Sequence, residues 1–476
     1  MMSEEMNAEE DLKHRSFLVR GFLKHPLIWV TVIGLLIRVI LGFFLTFSFD
    51  FSHWALVVEN VRSGNGLYNL DGYYYTPVWG YLLSFISSVG DLIGVGDLGA
   101  KIVDVLFIAE NSDRHVTATL TTLSFNMLVK IPLFICDIAV AYLIRWLILW
   151  RTKDKKKANW AYVLWFLCPL VIVVSSVNGM FDNFSVLMIL LSIVFLIKNK
   201  YFFAGTMFGM AVLTKFFPAF FIFIFIAYIL AKHKDDGTAI RNLGASALGA
   251  AMISLVILLP NILEGNVAEA FSFLTSRADS GMGLGWGAIE SYGTMLAYAA
   301  FLVVSAYIAL CVYGEKWVRG PLDRRFMFFM FLNTAVLFLY PSTPQYILLL
   351  LPFLIYAFLT ADKRFKKPLI ILSVGATVFS LSTTFMLLLS AGAFSGMFTV
   401  DQLSPLIDMT LQPIVFGINF MHLMYIGGVV QYIATIYIFI LIRKIGIEGD
   451  PNNLFESFTS DTQSEDVLSE EDSSLA

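Results

Sequence analysis

Asp50 stands in the segment FSFDFSHW, directly after an apolar run long enough to cross a membrane. A carboxylate where the membrane meets the outer aqueous space can take the proton of an acceptor hydroxyl, its basicity raised by partial burial. The same position suits an interfacial residue capping a short helix, with Ser52 and His53 beside it. Lys215, in LTKFFPAFF, is a cation in apolar surroundings and needs an anion or a water-filled cavity. A lipid phosphate at the leaflet surface answers that need, and so does snorkelling to the interface. Arg277, in FLTSRADSGMGLGWG, lies beside glycines that permit close backbone approach, and both phosphate binding and plain solvation fit it.

Asn178, Asp182 and Asn183 in NGMFDN, and Gln345 and Tyr346 in PSTPQY, can hydrogen-bond sugar hydroxyls or simply form polar turns. Lys130 and Asp137, in NMLVKIPLFICDIAVAYL, share a helix face about two turns apart, too distant for contact. Asp137 is expected to pair with a polar group on another helix in a structural role. The chain carries no Walker loop, dinucleotide fingerprint, HExxH or paired-cysteine motif, and its six histidines show no ligand spacing.

The elements that position these residues follow from composition. Of 476 residues, 58% are apolar or aromatic and only 14% charged, and mean hydropathy is +0.76. Long apolar runs separated by short charged stretches are the signature of a polytopic helical membrane protein. Nucleic-acid binding and a secreted disulfide fold are excluded. Cys136, Cys168 and Cys311 all lie inside apolar runs. The net charge of −4 comes largely from acidic chain ends.

The first apolar run, 27–48, follows Lys13, Arg15, Arg20 and Lys24 and is too long for a signal-peptide core. Further runs lie at 121–150, 158–177, 183–198, 201–214, 216–231, 243–260, 292–313, 326–340, 344–360, 368–390 and 413–442, giving about twelve spans. With both termini cytoplasmic, about 24 of the 32 Lys and Arg fall inside. Residues 78–95 are apolar enough to span, but a span there would flip every later loop. Residues 49–120 are therefore expected to form one long external loop with helices lying in the interface. Further external loops cover 261–291 and 391–412. The predicted organisation is a cytoplasmic amino segment at 1–26, a membrane domain at 27–443 and an acidic disordered tail at 444–476.

Several runs are short for spans. Residues 201–231 begin and end beside charges, yet each arm has about 15 residues, or roughly 23 Å of helix. The turns at TKFFP, PSTPQ and NGMFDN are thus expected below the outer surface, lining one cavity. Irregular backbone and charge at that depth are tolerated only against protein or water, so chemistry is sought there.

Taken in order, DFSHWALVVENVRSGNGLYNLDGYYYTPVWGYLL, KIPLFICDIAVAYL, NGMFDN, GMAVLTKFFP and STPQYILLLLPF resemble the membrane glycosyltransferases of the GT-C superfamily. The likeness is nearest to the enzymes adding the first mannose in GPI-anchor assembly and their prokaryotic relatives, and covers about residues 30–355. It implies an all-α, GT-C-type protein that transfers a hexose, typically mannose, with inversion on the extracytoplasmic face. The donor would be a polyprenyl-phosphate sugar such as dolichyl-phosphate mannose, and the acceptor a lipid-linked or other glycan. Asp50 would be the family's first-loop aspartate and the catalytic base. Where eukaryotic relatives carry two aspartates separated by one residue, this chain has Ser48 and Asp50, which favours a metal-independent base and no cofactor.

Lys215 matches the family's lysine before the aromatic-proline turn and is assigned with Arg277 to the donor phosphate. His53 and Tyr75, in the first-loop segment, join Asn178, Asp182, Asn183, Gln345 and Tyr346 as expected substrate-binding residues. Several family members work with small helper subunits. The membrane would be the cell membrane in a prokaryote and the endoplasmic reticulum in a eukaryote. A secondary transporter and a lipid-linked-sugar flippase are the competing readings, although no convincing internal repeat is present.

Overall fold

A computed structural model describes residues 26–69, 73, 75–94, 100–109, 112–271, 287–318, 320–339, 343–388 and 418–448. Each of the twelve apolar runs carries helix. Among the described residues six helices are long and apolar enough to cross a membrane, or seven if a bent pair counts as one span. The first is α1 (Pro26–Phe44), with proline at its first position and an almost wholly apolar sequence. Its buried face carries Gly34, Arg38 and Gly42, while Trp29, Ile33, Leu36 and Ile40 point outward. Repetition every four residues puts the small residues and the arginine on one stripe against the protein.

Two helices follow in the expected external loop, α2 (Ser48–Arg62) and α3 (Pro77–Leu92). At 16 residues, α3 is shorter than a span and presents Phe85 and Leu92 outward while burying Trp79, Leu83 and Ile86. That two-sidedness suits a helix lying in an interface.

The second half of the loop departs from the expectation of an all-helical chain. β1 (Ala100–Ala109) pairs antiparallel with β2 (Ser112–Thr121), in register from Ala100 opposite Thr121 to Ala109 opposite Ser112. KIVDVLFIA and DRHVTATLT are rich in β-branched residues, which favour a pleated ladder over a helix.

Helix α4 (Leu123–Thr152) starts where the Thr122 hydroxyl accepts from the Phe125 amide, and α5 (Lys155–Phe166) where Asp154 accepts from the Lys156 and Lys157 amides. Both are cap residues at a helix start. α5 continues after a 47° bend as α6 (Pro169–Asn178), whose final turn Val173–Asn178 is π-helical. Then come α7 (Asp182–Ile197), α8 (Tyr201–Val212) and α9 (Phe217–Lys232), all shorter than a span.

α10 (Ala239–Glu264) packs on α8 with the backbones in near contact. A Cβ on Gly205 would lie 1.8 Å from the Ser246 carbonyl oxygen, and one on Gly249 2.1 Å from that of Phe202. Small residues at such crossings let helices associate without a hydrophobic driving force. The remaining helices are α11 (Gly287–Tyr313), α12 (Leu322–Leu337), α13 (Pro344–Thr360), α14 (Lys366–Leu388) and α15 (Phe420–Glu448). α14 and α15 pack along each other, and α15 runs past residue 443, where the membrane domain was expected to end. The amino segment 1–25, the tail beyond 448, the whole loop at 391–412 and Arg277 lie outside the described residues.

Candidate active site

Two charged groups within helices set the frame. Lys130 of α4 points at the end of α1, where its Nζ donates to the carbonyls of Gly42 at 3.0 Å and Leu45 at 2.6 Å and to Thr46 Oγ1 at 2.9 Å. These groups lack intrahelical partners at a helix carboxyl end, and a cation also suits the dipole there. Arg38 Nε of α1 lies 2.9 Å from Asp137 Oδ2 with both side chains fully buried, supplying the partner expected for Asp137. Asp137 Oδ1 accepts from Asn183 Nδ2 at 3.0 Å, and the same amide donates to the Leu133 carbonyl at 2.8 Å. Through its amide nitrogen Asn183 thus ties α7 to α4. Asn178 Nδ2 likewise donates to Ser380 Oγ at 2.8 Å, joining α6 to α14.

Asp50 opens α2 six residues beyond the end of α1. Phe51 after it is wedged between Lys130, whose Nζ is 5.1 Å from the ring centre, and Gly179 in the turn after α6. Trp54, one turn on, meets the Phe181 ring edge-on at 5.8 Å, while Trp79 of α3 stacks on that ring at 4.6 Å. Phe181, in the middle of NGMFDN, therefore joins the external loop to the α6–α7 turn. Its sequence signal was an aromatic residue between polar ones, and it drew no notice there.

Tyr75 reaches the same ring at 5.3 Å. It is held by Tyr68, whose hydroxyl donates to the Tyr75 carbonyl at 2.9 Å, and by the Val78 amide donating to the Leu213 carbonyl of the α8–α9 link at 3.3 Å. His53 is half-buried, with its ring near-parallel to Tyr73 at 6.3 Å.

On this frame the NGMFDN and TKFFP turns meet, with Tyr346 beside them. Asp182 is the first residue of α7, and its Oδ2 lies 3.4 Å from Lys215 Nζ, in the link between α8 and α9. The Lys215 ammonium also faces the rings of Phe181 at 4.4 Å, Tyr75 at 4.7 Å and Tyr346 at 5.0 Å. Each such contact attracts a cation by the ring quadrupole. Tyr346 is buried in the first turn of α13 and packs on Phe217 at 4.7 Å, while Gln345 beside it is half-buried. Asp182 of NGMFDN and Lys215 and Pro218 of TKFFP line one cavity of about 20 Å³ with Tyr346, which follows the PSTPQ segment. That volume admits roughly one water.

Asp50 completes the cluster. Burial pushes its carboxyl up to about 7 against the lowering influence of Lys215, and Asp182 raises it further. Its Oδ2 is buried with no hydrogen-bond partner among the described residues, and the same holds for Lys215 Nζ. Buried polar atoms in that state are costly, and they lie where a bound molecule can satisfy them. A buried carboxylate raised toward neutrality thus feels the charge of Lys215, whose ammonium is ion-paired with Asp182 but makes no hydrogen bond among the described residues. Among the described residues no three His, Cys, Asp or Glu side chains converge as metal ligands. No family model matches the sequence, and no curated protein matches it.

Proposed function

We propose that the protein is a membrane glycosyltransferase of GT-C type that moves a hexose, in keeping with the sequence resemblance mannose, from a polyprenyl-phosphate donor to a glycan or lipid-linked acceptor. The observation that carries this reading is the buried Asp50 carboxylate, unsatisfied at Oδ2 among the described residues and within electrostatic reach of Lys215. In the reaction the acceptor hydroxyl gives its proton to Asp50 as its oxygen attacks the anomeric carbon from the face opposite the phosphate. The bond from that carbon to the phosphate oxygen breaks, and the electron pair leaves with the lipid phosphate. Negative charge grows on the phosphate in the transition state, where the N–H groups of Lys215 receive it. The three aromatic rings and Asp182 hold the ammonium in place, so little reorganisation is needed.

A secondary transporter is the second reading, favoured by the Arg38–Asp137 pair buried between spans. Purified protein and its Asp50→Asn variant, given radiolabelled sugars on polyprenyl phosphate, separate the two. Label transfer to acceptor lipid by the wild type alone supports the transferase; no transfer, with solute uptake into proteoliposomes, overturns it.

A further inference from the structure

At the other end of α9, 16 residues and roughly 24 Å of helix away from Lys215, lies a cavity of about 300 Å³. It is lined by Lys232, Lys234 and Arg325 with Glu315, and by Gly320 and Leu322 at the start of α12. We propose that this cavity binds a phosphate group, carried either by an anionic lipid headgroup or by a water-soluble phosphate ester.

The guanidinium of Arg325 is the centre of the site. The residue is only 4% exposed, and its Nε has no hydrogen-bond partner among the described residues. Nη1 lies 2.6 Å from Glu315 Oε1 but off the hydrogen-bonding angle, and the Glu315 side chain is itself 58% exposed. A buried guanidinium engaged along one edge only is costly, and a tetrahedral oxyanion fits the remaining fork.

The surroundings point the same way. Lys232 Nζ donates to the Tyr228 hydroxyl at 3.0 Å and the Ile197 carbonyl at 3.3 Å, leaving its third N–H unassigned. Lys234 is exposed at the rim. Asp323, a carboxylate outside the lining whose charge acts on Lys232, accepts from the Tyr228 hydroxyl at 2.5 Å. Three cations against one lining carboxylate leave an excess of two positive charges, which a phosphate monoester dianion offsets. The start of α12 adds to this, since Pro321 at the cap position supplies no side-chain acceptor for the first amides. The site shares no residue with the Asp50 cluster, so it stands or falls independently of the proposed transfer.

The full-length protein in phosphatidylcholine nanodiscs tests the proposal in two arms. Glycerol 3-phosphate is titrated by calorimetry, and phosphatidic acid is doped into the disc and its retention followed by native mass spectrometry. Binding in at least one arm is expected, weakened about tenfold by Arg325→Gln and about threefold by Lys234→Gln. Binding in the lipid arm alone assigns a headgroup, and in the soluble arm alone a free ester. Lys234 is exposed, so Lys234→Gln decides the question where Arg325→Gln does not fold. Absence of binding in both arms, or equal binding by wild type and Lys234→Gln, overturns the proposal.

Discussion

The Phe51 ring lies against the backbone of Gly179 so closely that a Cβ on the glycine would stand 2.1 Å from the nearest ring atom. Gly179 also has φ of +65°, a conformation that L side chains rarely adopt. The residue next to the proposed base is thus seated on the turn that leads to Asp182. Gly179→Ala is expected to cost about 2–3 kcal/mol of stability from overpacking and backbone strain, and to lower transfer more than tenfold by displacing Asp50. Adding Phe51→Leu relieves the clash, so the double variant should unfold at a higher temperature than Gly179→Ala alone. Additive losses in thermal unfolding would deny the coupling.

The raised carboxyl of Asp50 makes a paired prediction about pH. As a base it acts when ionised, so transfer should rise through about pH 7 with unit slope and level off above it. Stability moves the other way. A buried carboxyl raised from 3.8 to about 7 contributes stability below its unfolded value, and that contribution is lost as pH rises through 7. Asp50→Asn should therefore abolish transfer yet gain in melting temperature over wild type at pH 8, with the gain vanishing near pH 4.

Lys215 allows its charge and its shape to be separated. Lys215→Met keeps the packing against the rings but removes the ammonium, and leaves Asp182 without its cation 3.4 Å away. Transfer should fall by about two to three orders of magnitude, the range for losing one transition-state charge contact. Asp182→Asn should lower it far less. Equal kcat for wild type and Lys215→Met at saturating donor would remove the leaving-group role.

The buried Arg38–Asp137 pair should behave as a structural unit. Removing either partner alone, as in Arg38→Met or Asp137→Leu, strands a charge among apolar helices and should destabilise by about 3–5 kcal/mol. The double variant should lose much less than the sum of the two. Uptake assays on the double variant also bear on the transporter reading, since a coupling pair could not be replaced by two uncharged, apolar side chains.

Much of this arrangement is legible in the sequence because lipid leaves the backbone few options. Apolar runs mark the helices, and the shortness of those at 201–214 and 216–231 places a break at Lys215 where the structure has one. The meeting of NGMFDN and TKFFP at one cavity, with Tyr346 just past PSTPQ, is in keeping with the same length argument. What the sequence hides is partnership across long separations. Arg38 reads as one cation in a span, and only the packing of α1 on α4 shows it 99 residues from the carboxylate it neutralises. Asn183 and Asp182 are adjacent in one motif, yet a helix turns neighbours by about 100°, so one faces Asp137 and the other Lys215. The hairpin at 100–121 was obscured because its apolar residues read equally well as interfacial helix when the surrounding loop is amphipathic.

The clasp of Lys130 on the end of α1 bears on how such a protein tolerates change. Two of its three acceptors are main-chain oxygens, which every amino acid possesses. The last turn of α1 can therefore drift in side-chain identity while the point from which the chain sets out toward Asp50 stays put. Beyond Phe51 and Trp54, insertions in the loop are paid out away from that anchor. A lineage could remodel the outer part of that loop while the position of Asp50, the proposed base, is inherited unmoved.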